Sequence, residues 1–299
     1  MFKINDKTYV KLTFALSLFV IFFVYFFILI NIYKYKSNRI YNLRKVSSEY
    51  RVTLLNDFFD NQYKKNSILV VGDSQPNGHF YPTEYIYSTI LQKKIKTNIL
   101  NIAFQDARIL DNIYILNYAH KKNFHFKAII FNVNQSHVKN SDFLHLELEV
   151  NNIINYKLGI LKDMKSFLRL SLYPNPISKP NEKIKMNIYN NYFDMNENSI
   201  KSYSAKLLNL IKISKDIAEK IIIYITPHSK NAVLYNNTND IDVLKHFSLY
   251  IKKICNEQNV QCLEPNIFED SYYLDIVHFN SKGHQKMADI LYNSLIYNE

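Results

Sequence analysis

Short, nearly continuous apolar runs at residues 68–71, 99–104, 128–133 and 221–226 alternate with segments of helical period at 83–95, 107–121, 200–219, 241–258 and 281–297. A strand that is apolar along its whole length has no wet face, so it belongs inside a sheet that is covered on both sides. Neighbouring parallel strands need long crossover connections, and helices supply them. The alternation therefore predicts an α/β domain with a parallel sheet between two layers of helices. A fifth, short strand is expected at 260–263.

Two regions stand outside this pattern. Residues 12–33 contain no charged side chain, and at about 1.5 Å rise per residue they match a bilayer core of roughly 30 Å. The stretch is longer than the apolar part of a signal peptide and no small-residue cleavage site follows it, so a retained transmembrane helix is expected. The organisation read from the chain is a short tail at 1–11, a transmembrane helix at 12–33, a stalk at 34–65 and an α/β domain at 66–299. The second irregular region interrupts that domain at about 135–198, carries Pro174, Pro176 and Pro180, and is too long for an ordinary connection. Within it, apolar residues from Ile153 to Leu172 fall near one helical face, with Lys157, Lys162, Lys165 and Arg169 largely elsewhere. Such a helix either packs on the domain or lies at a membrane surface as part of a cap.

The formal charge of +11 does not by itself indicate nucleic acid. No zinc-finger spacing, recognition-helix pattern or Arg-rich patch accompanies it, and a solvated basic surface near anionic lipid is the simpler reading. Lysines and arginines lie on both sides of the apolar stretch and are denser after it, at Lys34, Lys36, Arg39, Arg44 and Lys45. The positive-inside rule alone would put the following domain in the cytoplasm. Cys255 and Cys262, the two cysteines, flank a helix-to-strand corner. They form one disulfide in an oxidising compartment or remain two thiols.

Chemistry concentrates at the ends of strands. The first run ends in Gly72-Asp73-Ser74, and Asp275-Ile-Val-His278 precedes the last helix. A serine at a strand end, with a carboxylate and an imidazole arriving late, is the inventory for nucleophilic acyl transfer. Only four glycines occur in the chain, far below the roughly 7% usual in proteins, and Gly72, Gly78 and Gly283 flank these two segments. In an open parallel sheet, ligands bind beyond the carboxyl ends of the strands. Ser74, Asn134 and the pair Pro227-His228 each follow a strand and so share that edge. Asp73, Gln75 and His79 are candidate substrate-contacting residues around the serine, although Asp73 is also placed to cap a turn. No metal-ligand spacing, P-loop or GxGxxG motif occurs, so neither a metal nor a nucleotide cofactor is expected.

Together, Val71-Gly72-Asp73-Ser74, the stretch from Leu100 to Ala107, Phe131-Asn132-Val133-Asn134 and Asp275-x-x-His278 resemble the four ordered blocks of the SGNH, or GDSL-like, hydrolases. The resemblance covers residues 66 to the C-terminus apart from the interruption. It implies a flavodoxin-like three-layer α/β/α fold, the SGNH hydrolase fold. Carried over, Ser74 is the nucleophile, His278 its base and Asp275 the residue that orients the imidazole. Asn134, the Ser74 N–H and the backbone near Asp106 would hold the oxyanion. Two positions depart from the family pattern. Asp106 stands in the second block, which usually supplies a glycine, and Asn132 stands where the third block has one.

The resemblance further implies a membrane-tethered enzyme that acylates, for example acetylates, or deacylates a cell-envelope polysaccharide. It would act on an acylated glycan or acyl ester, with a multi-span membrane acyltransferase as a possible companion and no nucleic acid. On that reading the domain is extracytoplasmic and held at the inner, cytoplasmic membrane by its single span, against the charge rule. A membrane-anchored carbohydrate or lipid esterase is the alternative enzyme. A catalytically inactive scaffold or glycan-binding subunit is the alternative of another class.

Overall fold

The computed structural model describes residues 63–142 and 195–296, apart from 79–80, 82, 140, 237–239 and 267–268, together with residues 14, 16–25, 27, 59 and 144. Five strands form one sheet: β1 (Ile68–Val71), β2 (Ile99–Asn101), β3 (Phe126–Val133), β4 (Ala218–Ile225) and β5 (Gln261–Leu263). Their order is β2-β1-β3-β4-β5 and every pairing is parallel. From residue 63 on, the described residues also form seven α-helices: α1 (Ser74–Asn77), α2 (Tyr87–Ile95), α3 (Ile109–Lys121), α4 (Glu197–Ile217), α5 (Lys230–Asn236), α6 (Asp240–Glu257) and α7 (Ser281–Ile296).

The layers follow from the two-residue period of a strand. On one face Leu69, Val71, Ile129, Phe131, Ile221 and Ile223 pack against side chains of α3, α4 and α6, among them Leu116, Leu207 and Ile251. Their neighbours Ile68, Val70, Ala128, Ile130, Ile222 and Tyr224 pack on the other face against α2 and α7, through Tyr87, Leu91, Met287 and Leu291. Both sets are buried, which is why the strands read as continuous apolar runs. Burying one such aliphatic side chain contributes about 1.5–3 kcal/mol.

Strand β1 bonds to β2 on one side and β3 on the other. Sequence order thus reverses between β1 and β3, and a crevice opens beyond their carboxyl ends. Ser74 and Asn134 follow those two strands.

Two boundaries differ from the sequence expectation. The run 99–104 stays in the sheet only to Asn101, whose Nδ2 donates to Pro76 O and Ser88 Oγ at 2.8 Å each and whose Oδ1 accepts the Ala103 N–H at 3.2 Å. The helical pattern at 200–219 ends at Ile217, because Ala218 is already paired with Phe126 in the sheet. Helix α5, unforeseen in the sequence, follows the β4 loop. Within the stretch 12–33, the described residues 14, 16–25 and 27 are helical and exposed. Among the described residues no helix is long and apolar enough to cross a membrane. Most of the stalk and of the interruption, including residues 153–172 and the three prolines, lies outside the described residues.

Candidate active site

The chain leaves β1 through Gly72, which adopts φ 137°; a Cβ here would stand 2.1 Å from Asn132 Oδ1 and 2.8 Å from Pro76 Cγ. Both the dihedral and the approach of β3 require glycine. Asp73 then caps α1, accepting the Gln75 N–H on Oδ1 at 2.9 Å. The four-residue helix is fastened on several sides. Asn77 donates to Ala103 O at 2.7 Å, and the Gln75 amide donates to Val277 O at 2.8 Å and Pro227 O at 3.2 Å. Gln75, Pro76 and Asn77 are buried, whereas Ser74 is partly exposed.

From the other end of the chain comes the loop before α7. Asp275 Oδ1 accepts the N–H groups of Val277 and His278, at 3.0 and 2.8 Å. That turn aims the second carboxylate oxygen at the imidazole, with His278 Nδ1 2.7 Å from Asp275 Oδ2. The opposite ring nitrogen, Nε2, lies 2.9 Å from Ser74 Oγ. The loop is held by an isolated bridge between Tyr273 and Phe279 and by the Leu274 N–H donating to His278 O at 2.8 Å. Gly283 lets α7 pack tightly behind it, since a Cβ would meet Tyr272 O at 2.3 Å.

Burial alone would raise the pKa of Asp275. The hydrogen bond and charge of His278, with the two backbone N–H donors, outweigh it and hold the carboxyl below its ordinary value. An ionised Asp275 accepts the Nδ1–H, which leaves the Nε2 lone pair to accept the Ser74 hydroxyl proton. Ser74, His278 and Asp275, separated by some two hundred positions, are thus one hydrogen-bonded chain.

The strand β3 side carries the remaining candidates. Asn134 donates from Nδ2 to Asp73 Oδ2 at 2.7 Å and accepts on Oδ1 from the Ser136 N–H and hydroxyl at 3.1 and 2.9 Å. These bonds assign its amide orientation, and one of its two amide hydrogens is left over. Asp106 lies in an exposed turn at φ 61°, in the left-handed region where glycine is the easiest residue and Asp is tolerated. The departure from glycine at this position is accommodated without burying the carboxylate.

Asn132, the second departure, is buried and acts as a strut. Its Oδ1 accepts the Asp73 N–H at 3.2 Å and its Nδ2 donates to Thr226 Oγ1 at 2.9 Å, tying β1, β3 and the end of β4 together. Asp73 and Gln75 differ from the expectation of substrate contact. Both are buried, at 2% and 1% exposure; both Asp73 carboxylate oxygens and the Gln75 amide nitrogen are bonded to the protein's own groups, while Gln75 Oε1 has no hydrogen-bond partner among the described residues. The reason is the shortness of α1, which needs those bonds to hold its shape. His79 lies outside the described residues.

Two further residues neighbour this site: His228, which the sequence placed at the same sheet edge, and Gln135, which it did not single out. His228 is buried, and desolvation lowers its pKa to about 4 despite the charges of Asp73 and Asp275. Gln135, next to Asn134, is 2% exposed, and its Oε1 has no hydrogen-bond partner among the described residues. Both follow strand ends, which was the available signal. Among the described residues, no group of three or more His, Cys, Asp or Glu could hold a metal ion.

Solved structures similar to this chain include lipolytic hydrolases and carbohydrate esterases. One is a member of the lipolytic G-D-S-L family from Veillonella parvula, 13% identical, with a TM-score of 0.47, covering 78% of this chain and 98% of its own. A second is a carbohydrate acetylesterase from Sinorhizobium meliloti, 11% identical, with a TM-score of 0.46, covering 79% of this chain and all of its own (100%). No family model and no curated protein matches the chain. The distances within the site, rather than these distant likenesses, carry the chemistry.

Proposed function

We propose that this chain is a membrane-anchored serine acyl-transfer enzyme of the SGNH type, which adds or removes an acyl group on a cell-envelope polysaccharide. The observation that carries the reading is the continuous path from Ser74 Oγ to His278 Nε2 at 2.9 Å and from His278 Nδ1 to Asp275 Oδ2 at 2.7 Å. A serine hydroxyl is a weak nucleophile at neutral pH and needs such a base. As Ser74 Oγ attacks the ester carbonyl carbon, its proton passes to His278 Nε2 and Asp275 stabilises the imidazolium. The imidazolium then returns the proton to the leaving alkoxide, and an acyl-Ser74 ester remains. An acceptor hydroxyl, from a sugar or from water, gives its proton to Nε2 as it attacks the acyl carbon; the bond to Ser74 Oγ then breaks, and the imidazolium returns the proton to Ser74 Oγ. The developing oxyanion is met by the Ser74 N–H, the second amide hydrogen of Asn134 and the Asp106 N–H.

An uncharged stretch at residues 12–33 supports anchoring, as do the exposed aromatic side chains Phe14, Phe19, Phe22, Phe23, Tyr25 and Phe27 in its described part. On this reading the α/β domain works outside the cytoplasm beside its polymer, with a multi-span acyltransferase as the donor partner. If water is the final acceptor, the same residues make a membrane-anchored esterase.

Labelling with a fluorophosphonate probe tests the nucleophile. Ser74 in the full chain is expected to label, and Ser74→Ala and His278→Ala are each expected to abolish both labelling and ester turnover. A folded wild-type protein that does not label sinks the proposal and favours a scaffold. A periplasm-active reporter fused after Glu299 is expected to be active; an inactive one reverses the orientation.

A further inference from the structure

Helix α6 ends at Glu257 and strand β5 begins at Gln261, and backbone bonds fix the turn between them. Asn259 stands at φ 51°, its N–H donates to Asn256 O at 3.1 Å, and the Val260 N–H donates to Cys255 O at 3.0 Å. A left-handed residue with these two bonds closes a helix and turns the chain back on it. Farther along, an ion pair between Lys252 and Glu264 joins the helix to the residue after the strand. On the strand, Cys262 lies between these two ties.

The two cysteines meet on one side of the sheet. Cys262 is in register with Ile223 of β4 and packs against the apolar cluster that contains both Ile223 and Cys255. Their thiols are hydrogen-bonded to each other, and that contact, with burial, pushes the Cys255 thiol up. Cys255 has no exposed surface, whereas Cys262 is partly exposed. Strand β5 itself is weakly held: it has three residues, none fully buried, and it pairs with β4 alone.

We infer that Cys255 and Cys262 are oxidised to a disulfide outside the cytoplasm, forming a covalent clasp between α6 and the edge strand β5. Formation in the cell rests on the extracytoplasmic placement proposed above; the pairing rests on the geometry of the turn and the cluster. Thiols already in contact need only small side-chain rotations to bond. The clasp bears on a cavity of about 280 Å³ beside the site, where Leu244 and Ser248 of α6 face a lining that includes Glu264 and Pro265 after β5, and Gln135 and His228 after β3 and β4. The oxidant is a small-molecule or protein disulfide of the compartment. The sulfur of the more accessible Cys262 attacks it, and the first departing sulfur takes the Cys262 proton. Cys255 then attacks the Cys262 sulfur of that mixed disulfide, and the second departing sulfur takes the Cys255 proton. Two protein thiols are oxidised and one donor disulfide is reduced to two thiols.

Mixtures of oxidised and reduced glutathione, applied to the purified full chain in detergent micelles, test the pairing. After denaturation and alkylation with iodoacetamide, mass spectrometry is expected to find the peptide holding both cysteines unalkylated and two hydrogen atoms lighter than the dithiol. Glutathione retained on Cys262, or two alkylated cysteines at every ratio, overturns the inference. The melting temperature of the oxidised wild type is expected to fall by about 5 °C or more on adding a phosphine reductant, while that of Cys262→Ala does not respond to the reductant. A wild type equally indifferent to the reductant removes the clasp. In cells, acid trapping followed by alkylation is expected to find the pair joined when the reporter fused after Glu299 is periplasm-active. An active reporter with both cysteines alkylated overturns the inference. An inactive reporter instead fails the orientation and with it oxidation in the cell, and the glutathione result then decides the pairing alone.

Discussion

Two buried carboxylates flank Ser74, and they do opposite work. Asp275 faces an imidazole, a group that changes charge, and also accepts two backbone N–H groups. Asp73 faces only groups that stay neutral in direct hydrogen bonds, the Gln75 N–H and the Asn134 amide, with His137 Nε2 farther off at 3.7 Å. One carboxylate is therefore suited to stabilising a transient positive charge. The other holds a turn and the Asn134 amide. Proximity to the serine does not separate the two roles; the partner does.

The sharpest way to break this comparison is to neutralise each carboxylate in turn. Asp275→Asn keeps the shape but loses the preference for an Nδ1–H tautomer, so kcat is expected to fall by about 10⁴ with little change in KM. Steady-state hydrolysis of a chromogenic ester reads this, and a loss below tenfold would remove Asp275 from the proton path. Next in size is Asn134→Ala, expected to reduce kcat by about 10²–10³ through loss of one oxyanion donor. If the loss fell in KM instead, Asn134 would be a ground-state binding group. Asp73→Ala follows, with its main effect on stability. Removing the carboxylate strips the Gln75 N–H and Asn134 amide of their partner, costing about 1–3 kcal/mol per unsatisfied group. Thermal unfolding should register that loss, and an unchanged melting temperature would contradict the strut role.

Smaller effects appear in pH dependence. The folded pKa of Asp275 is depressed, so its contribution to stability is present above the unfolded value near 3.8 and is lost as pH falls through the lower folded one. The stability gap between wild type and Asp275→Asn should therefore close on acidification below about pH 4. His228 is a base with a depressed pKa, and the unfolded chain takes up its proton first. Its stabilising contribution is complete above pH 6.5 and declines toward its folded value of about 4. His228→Phe should flatten the melting-temperature profile across that window; an equally steep profile would exclude His228 as the source.

Much of the fold could be read directly, because burial on both faces writes itself into a strand as an unbroken apolar run. Residues 68–71 and the fifth strand near 261–263 match the sheet for that reason. Boundaries were less legible where a side chain or a distant partner decides them. Strand β2 ends at Asn101, whose amide bonds Pro76 and Ser88, and Ala218 joins the sheet because Phe126 is alongside. At the site, the serine, histidine and aspartate stood out by order and by the strand ends they occupy. Gln75 gave no sign that it is a clamp, since its partners Pro227 and Val277 lie far along the chain.

Alternation of apolar runs and helical periods was enough to determine a parallel α/β sheet, and the strand-end residues were enough to nominate Ser74, Asn134, Asp275 and His278. Tertiary structure decided everything that depends on direction and on neighbours distant in sequence. It assigned Asp275 to the imidazole and Asp73 to the turn, buried Asn132 as a strut, and gathered Gln135, His228 and Leu244 around one pocket. Periodicity is a property of local backbone geometry and survives in the bare sequence. Hydrogen bonds and pockets form between groups that meet only when the sheet has assembled.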